Sequence, residues 1–515
     1  MEESSLVRIH LEGEGESVEK IDVGPIPVET FGGKIHVEWN PQAAVTALGQ
    51  LPFFIEFLKT ADLFDPWVED CPMRYQSPNA PDKRDVLGTT FLSVLGGHWR
   101  YSHITTIRCD SVNPKLLGMK RVVSEDSVRR GFSGCEEKAS EDWLHKHLSR
   151  CYEPLLYEPW ILDLDTTVKP LYGHQQGAVV GYNPHKPGRP SHSYHTYFMA
   201  QTRLALEVEV QAGNHTAACY SQPGLWNFLD PLPEKAKPKL VRGDCNFGND
   251  SMMTGCEKRK LAYLFKLRQS KNVKRLIREM FHQRGWLPAG KGWQGLESEL
   301  KLQGWEKPRR VIVLRREIKD VAFTKESSSF PKQLVFASIE SGTEVKKYEY
   351  AVLVTSLQEE ILTIAQLYRD RADIENNFDE LKNQWSWGGY TTHDLKRCQI
   401  MARITALIYN WWSLFVRLAI PQKHAEAITS RPLLLQAMGK QTEHQRQVSL
   451  TITSTHAKTS KVQKILRKIS QFLQTIKNAE QLTWFERWCW ILSRVFISFL
   501  KGRPLKPPLL SPQPL

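Results

Sequence analysis

The spacing of apolar residues changes near residue 160 and divides the chain into a helical part and a part with strands. Before this point apolar residues recur at helical intervals, which predicts helices over 43–57 and 84–99 and a third after Ser124. From Trp160 the alternation is that of strands. The predicted order is strand, strand, strand, helix, strand, strand, over 160–168, 193–200, 203–211, 216–230, 239–244 and 262–268.

A second group of strands is expected after residue 270. A basic helix over 272–281 leads into turns rich in Gly and Trp. The strands that follow are predicted over 309–317, 333–340 and 346–355, with a turn at Ser341-Gly342 before the last of them. A capping box at 356–359 is expected to open the next helix. We interpret this segment as a β-rich insertion.

The stretch from Tyr368 to Lys382 contains no Pro or Gly and predicts one continuous helix. At about 100° per residue, a polar stripe falls within roughly 60° of its surface and consists of Tyr368, Arg371, Glu375 and Lys382. An apolar stripe beside it consists of Leu367, Ile374, Phe378 and Leu381. Two interpretations of the polar stripe remain open. It could be a row of surface ion pairs, since Arg371 and Glu375 are four residues apart, or it could be a functional surface along the rim of the buried face.

Acidic residues occur where strands are predicted, which is unusual because a buried carboxylate without a partner is costly. Asp163 and Asp165 share one face of the first strand, and Asp165 and Asp244 are expected at the ends of the first and fourth strands. Together with Glu375, Asp165 and Asp244 could hold two divalent cations through oxygen ligands. Two such ions activate an attacking oxygen and stabilise a leaving oxygen in phosphodiester chemistry.

Composition narrows the class of protein. The chain has 515 residues, enough for several domains, and a net charge of +13, which favours a polyanionic partner such as nucleic acid. Its nine Cys are singletons, which argues against zinc modules and disulfides and for a reducing cytoplasm. The first residues do not resemble a signal peptide. Arg403 and Arg417 interrupt the longest apolar run, so we expect a buried helix over 395–418 and no membrane span.

Three motifs together resemble those of bacterial DDE-type insertion-sequence transposases. The spacing Tyr368-x2-Arg371-x3-Glu375-x6-Lys382 matches their Tyr-Arg-Glu-Lys signature, Asp165-Thr-Thr is similar to their first-acid motif, and Arg242-Gly-Asp244 is similar to their second. The resemblance implies an α/β fold, an RNase H-like core with a mixed five-stranded sheet and flanking helices, interrupted by the β-rich insertion. The regions would be a helical DNA-binding region (1–150), the core in two parts (151–270 and 358–420) around the insertion (271–357), and a basic helical C-terminal region (421–515) with a disordered Pro-rich tail.

The resemblance also implies roles for individual residues. Asp165, Asp244 and Glu375 would be catalytic and would hold two Mg²⁺ or Mn²⁺ ions. Tyr368, Arg371 and Lys382 would contact DNA phosphates. In the insertion, Trp293 or Trp305 would stack on a displaced base, although a Trp in a core or turn is the favoured interpretation for either residue. Arg129 and Arg130 would lie on the recognition helix of a helix-turn-helix, or on a plain helical bundle.

Several residues compete with these assignments. Asp163 lies on the same strand face as Asp165, Asp250 follows Asp244 in a Gly/Asn turn, and Asp379 is close to Glu375 on the helix. A cluster of His185, His192 and His195 in a Gly/Pro-rich loop could contact DNA, bind a metal or serve the loop structure alone.

The function expected from these features is cut-and-paste DNA transposition in a bacterial cytoplasm. Water would cleave the element's end, and the freed 3′-OH would attack target DNA. The partners would be double-stranded DNA, as terminal inverted repeats and target, and a second copy of the chain in a homodimer. The alternatives are a decayed or domesticated relative that only binds DNA, and a metal-dependent nuclease without strand transfer.

Overall fold

A computed structural model describes residues 24–40, 42–75, 77, 79–183, 186–215, 217–318, 336–338, 346–445 and 447–506. The chain divides into a unit before residue 45 and a unit from Val45 to Leu515. In the first unit, β1 (Ile26–Thr30) and β2 (Gly33–Val37) form an antiparallel hairpin. His185, the Ser341-Gly342 turn and most of the predicted Pro-rich tail lie outside the described residues.

The second unit contains the remaining elements. Its strands are β3 (Val45–Thr46), β4 (Ile161–Pro170), β5 (Val179–Val180), β6 (Pro190–Met199), β7 (Leu204–Ala212), β8 (Leu240–Gly243), β9 (Tyr263–Lys266), β10 (Leu287–Gly290), β11 (Trp293–Leu300), β12 (Arg309–Glu317), β13 (Phe336–Ser338), β14 (Lys346–Thr355), β15 (Met438–His444) and β16 (Gln447–Thr453). Its α-helices are α1 (Leu51–Thr60), α2 (Phe64–Glu69), α3 (Lys83–Leu95), α4 (Asn113–Leu116), α5 (Glu125–Ser133), α6 (Glu137–Arg150), α7 (Ala217–Leu229), α8 (Asp250–Lys258), α9 (Lys271–Phe281), α10 (Ile361–Arg369), α11 (Asp373–Gln384), α12 (Leu395–Ala419), α13 (Ala427–Leu434), α14 (Thr459–Asn478) and α15 (Trp484–Val495).

All five strands predicted between residues 160 and 268 form, and they are neighbours in one sheet. Their spatial order is β7-β6-β4-β8-β9. β4, β8 and β9 are parallel, β6 is antiparallel to both of its neighbours β4 and β7, and β6 is therefore the one strand of these five that runs opposite to the rest. Parallel neighbours need a crossover connection, and α7 precedes β8 while α8 precedes β9. The sequence analysis missed α8. The result is a mixed α/β fold.

The sheet does not end at β9, because the segment predicted as an insertion extends it. β14 pairs antiparallel with β9, and β12, β11 and β10 follow in order, so the sheet has eleven strands in the part of the chain that is described. β12 and β14 have the predicted limits, whereas β10 and β11 lie in the region predicted as turns. A glycine such as Gly295 is typical of turns, but here it lies in β11. A Cβ at this position would lie 2.3 Å from Cγ2 of Ile361, because α10 packs directly over it.

The predicted continuous helix is interrupted. α10 ends at Arg369, one 3-10 turn covers Asp370–Ala372, and α11 begins at Asp373. The predicted capping box is also wrong, because α10 begins after Glu360 and Ser356 Oγ accepts a hydrogen bond from the Tyr263 backbone N–H at 3.0 Å. Ser356 therefore fixes the end of β14 against β9.

α12 is the central helix of the second unit, and its burial confirms the prediction of an interior helix. It packs on β7 and contacts helices from both ends of the chain, among them α1, α3, α5, α6, α14 and α15. Arg403 is buried and its Nε donates to Glu207 Oε1 at 2.7 Å, which explains a charge in an apolar run. Among the described helices, none has the length and apolar character needed to cross a membrane.

Candidate active site

Asp165 and Asp244 lie side by side because of the register between two parallel strands. In that register Asp163 is paired with Arg242 and Leu164 with Gly243, and the ladder ends there. Asp244 directly follows β8, so the next step of the register brings it beside Asp165. β4 continues to Pro170, which places Asp165 inside the strand and not at its end as predicted. The site therefore lies at the end of β8, beside the middle of β4.

The two carboxylates influence each other electrostatically. Burial and the charge of Asp244 raise the pKa of Asp165, Arg371 acts in the opposite direction, and the resulting pKa is about 6. Thr166 N–H donates to Asp165 Oδ1 at 2.7 Å. Two carboxylates held together repel each other, and a divalent cation relieves that repulsion. The donor chemistry of this pair therefore fits a hard metal ion.

Asp244 is oriented by a residue that the sequence analysis missed. Asn246 donates to both of its oxygens, from the backbone N–H to Oδ1 at 2.9 Å and from Nδ2 to Oδ2 at 3.1 Å. Arg268 Nη2 donates in turn to Asn246 Oδ1 at 3.1 Å. An Asp side chain often accepts a hydrogen bond from the backbone N–H two residues later in a turn. The Asp-Cys-Asn sequence was therefore the pattern from which this contact could have been predicted.

Arg371 points into the protein, whereas the sequence analysis predicted it on an exposed rim. Its side chain is buried, and Nη2 donates to Asp165 Oδ2 at 2.6 Å and to the Leu164 carbonyl at 3.3 Å. These bonds to β4 explain the 3-10 turn, because the turn directs the residue inward between α10 and α11. Arg371 Nε is buried and has no hydrogen-bond partner in the described part of the chain.

Tyr368 and Lys382 lie close enough to the acids for their charges to interact. Burial raises the pKa of Tyr368 above its usual range, and Arg371 opposes this shift. Burial lowers the pKa of Lys382, while Asp165 raises it. Tyr368, Arg371 and Lys382 thus all interact electrostatically with Asp165, although the three do not lie on one continuous helix.

Glu375 is the predicted ligand that the structure does not bring to the other two. It is exposed in the first turn of α11, between Arg371 and Lys382 in sequence. The described residues contain no group of three or more His, Cys, Asp or Glu side chains arranged to hold a metal ion. The site in this structure therefore consists of two acids, with Arg371 bonded to one of them.

The three rival acids have partners of their own. Asp163 accepts two hydrogen bonds from Arg242, from Nε at 2.6 Å and from Nη2 at 2.7 Å, and both side chains are buried. Asp250 accepts from Arg309 Nη1 at 2.6 Å, and Asp379 accepts from Asn383 Nδ2 at 2.7 Å. Asp163 and Asp250 are held in ion pairs, and Asp379 is exposed on α11.

The predicted histidine loop is wrong for the two histidines that are described. His192 and His195 lie on β6 and are buried. A ring nitrogen of His192 contacts the Gln176 carbonyl at 2.8 Å, and His195 Nδ1 contacts Ser221 Oγ at 2.7 Å. Both are packed into the sheet by strand alternation and do not form a surface for DNA.

We expect His195 to make the protein sensitive to acid. Burial lowers its pKa from 6.5 to about 4. Between these values the unfolded chain binds the proton more readily, so stability falls as the pH falls from 6.5 towards 4, by about 2 kcal/mol at pH 5. Urea unfolding at pH 7 and pH 5 measures the stability lost between the two pH values. In His195→Gln this loss should be smaller than in the wild type by about 2 kcal/mol. An unchanged difference between the two pH values would contradict the assignment.

The other DNA-binding candidates have contacts of their own. Trp305 is 7% exposed and packs in the core, and Trp293 is half-buried with the Arg316 guanidinium 5.0 Å from its ring centre. On α5, Arg129 pairs with Asp126 at 3.0 Å and Arg130 is exposed. The helix predicted after Ser124 is α5, and Ser124 is its N-cap, with the side chain accepting from Ser127 N–H.

Comparison with known proteins gives the family. The model of the family described as transposase DDE domain group 1 matches residues 82–474, which is more than half of the chain. Among solved structures, the piggyBac transposase synaptic complex with hairpin DNA is similar, with a TM-score of 0.40 and 11% identity over 92% of this chain and 90% of that chain. A search of curated proteins gave no match. That structural similarity is too distant to support the assignment, which rests on the family model. Asp165, Asp244 and the whole Tyr368–Lys382 stretch lie inside the matched residues, and the chain belongs to the DDE transposases of this family.

Proposed function

We propose that this transposase cleaves DNA at the ends of an insertion sequence and joins the freed 3′-OH to target DNA, with Asp165, Asp244 and Glu375 as the catalytic acids. The observation that carries the proposal is the adjacency of Asp165 and Asp244 on two parallel strands within the residues that match the family. The five central strands, of which only β6 runs opposite to the other four, support an RNase H-like core.

The metal in this proposal is Mg²⁺ or Mn²⁺, with two ions in each site. When bound, such ions supply activation of the attacking oxygen and stabilisation of the leaving oxygen. Each oxygen of Asp165 accepts one strong hydrogen bond, from Thr166 or Arg371, and keeps a further lone pair for a cation. Both oxygens of Asp244 are likewise oriented by Asn246. Glu375 would complete the set from the first turn of α11.

The remaining side chains of the site suit a phosphodiester substrate. Arg371 fixes Asp165 through Nη2 and adds a positive charge beside the acids. Tyr368 on α10 adds a phenol, and Lys382 on α11 adds an ammonium. These groups would orient the DNA strand in the site and balance its charge, which is the contribution that phosphate contacts make in DNA enzymes.

A cleavage and joining assay tests the proposal. The wild-type protein is incubated with Mg²⁺ and a labelled duplex taken from the end of the element that encodes it, beside Glu375→Gln. We expect the wild type to cut the duplex and join the product to a second DNA, and the variant to bind DNA without cutting. Binding alone by the wild type would favour a decayed relative, and cutting without joining a nuclease. If Glu375→Gln cuts as fast as the wild type, Glu375 is not the third acid.

A further inference from the structure

The solvent-facing side of α14 carries positive charge and no negative charge. The helix is amphipathic, and its buried side consists of Val462, Leu466, Ile469, Phe472, Leu473 and Ile476. Its exposed side carries four cations within two turns, Lys461, Lys464, Arg467 and Lys468. We call these four residues the α14 basic face. From His444 to Ala479 the sequence contains no Asp or Glu.

The cations of the α14 basic face are unpaired. In the described residues, none of the four takes part in a salt bridge, a side-chain hydrogen bond or a cation–π contact. Lys477, near the other end of the same helix, differs from them because its Nζ lies 2.7 Å from Glu56 Oε1 on α1. The helix therefore uses a carboxylate partner where it packs on α1 and has none on its outer face.

The arrangement of these charges is unfavourable for the isolated helix. Lys464 is three residues from Lys461 and from Arg467 and four from Lys468, and like charges at these spacings repel. Lys461 also lies in the first turn, which contains no acidic residue, and the helix dipole is positive there. A polyanion would convert each of these repulsions into an attraction.

We propose that the α14 basic face binds the phosphate backbone of DNA, independently of sequence and outside the catalytic site; this inference rests on the proposed function. Seven residues of helix separate Lys461 from Lys468, a rise of about 10 Å. Phosphates of one DNA strand recur about every 3.4 Å along the axis, so the face spans roughly three of them. α14 packs against α12, which covers β7, so DNA held here is held by the unit that carries the acids.

DNA fits this face better than a second copy of the chain does. A copy would bring its own net charge of +13 towards the cations, and like charges disfavour that approach. A DNA backbone is uniformly negative, and Lys and Arg on a helix are the groups that contact phosphates without reading bases.

The experiment uses two charge-matched variants of the full chain. One carries Lys461→Gln, Lys464→Gln, Arg467→Gln and Lys468→Gln, and the control carries Lys235→Gln, Lys239→Gln, Lys258→Gln and Lys301→Gln, which are exposed elsewhere. Each lowers the net charge from +13 to +9, because four cations are removed. The probe is a labelled duplex of about 30 base pairs of random sequence, titrated from about 50 to 200 mM KCl.

We expect the slope of log K against log salt to become shallower by about 2 to 3 in the α14 variant, because each lost phosphate contact removes about 0.9. The control should change the slope by much less. Thermal unfolding of the α14 variant should not fall below that of the wild type, since repulsion has been removed.

Three outcomes would overturn the inference. If both variants change the slope equally, the α14 basic face has no special role, while DNA binding by the wild type leaves the proposed function standing. If the α14 variant instead changes the oligomeric mass with an unchanged slope, the face binds a second protomer. If the wild type does not bind DNA, both proposals fail.

Discussion

Asp165→Asn is expected to slow DNA-end cleavage by on the order of 10³-fold or more, about 4 kcal/mol of activation free energy, without loss of folding stability. The amide cannot supply the charge that a divalent cation requires. Burial and Asp244 raise the pKa of Asp165 to about 6, so its ionised form at pH 7 opposes folding. Removing that charge offsets the loss of its bond to Arg371.

Two measurements check this result. Single-turnover cleavage at saturating DNA gives the rate, and urea unfolding at pH 7 gives the stability. Asp379→Asn is the matched control, since Asp379 is an exposed acid on α11 that accepts from Asn383. It should cleave at close to the wild-type rate. If both variants lose the same cleavage rate, or if Asp165→Asn unfolds at a lower urea concentration than the wild type, the assignment of Asp165 as a catalytic acid is wrong.

Arg242→Met is expected to lower the free energy of unfolding by about 3–5 kcal/mol at pH 7, the largest stability effect that we predict. Arg242 is the bidentate partner of Asp163, and it also donates to the Leu367 carbonyl, so it joins β4, β8 and α10. Without it the Asp163 carboxylate is buried unpaired. Burial already raises the pKa of Asp163, so the deficit should shrink as the pH falls and the carboxyl becomes protonated.

The control for this prediction also removes the Asp163 carboxylate, which Arg242→Met leaves buried without a partner. Arg242→Met combined with Asp163→Leu should recover most of the lost stability, because apolar pairs replace buried ion pairs at little cost. Urea unfolding of the single and double variants at pH 7 and pH 5 decides the point. If the double variant is as unstable as the single one, the lost contribution is the bond to Leu367 and not the ion pair.

Secondary structure near the acids follows from local pattern to a large extent. The five core strands were predictable because alternation and turn residues are properties of short segments. β11 was not, because Gly295 serves a tertiary contact with Ile361 and not a turn. The break at Asp370–Ala372 was equally invisible, because a helix-forming sequence is bent there by the bonds that Arg371 makes to β4.

The sequence by itself determined which residues are candidates. The association of Asp165 and Asp244 with predicted strands, and the spacing of Tyr368, Arg371, Glu375 and Lys382, are encoded locally and can be recognised without knowledge of the fold. Strand alternation alone cannot separate Asp163 from Asp165, because both point to the same face.

Tertiary structure made that separation through the neighbouring strand. β8 places Arg242 opposite Asp163 and ends one residue before Asp244. On this neighbouring strand Asp163 therefore meets a cation, whereas Asp165 meets another acid. The tertiary structure also directs Arg371 inward and leaves Glu375 exposed. The physical reason is that the partner of a buried charge comes from a distant part of the chain, and only the register between strands decides which partner that is.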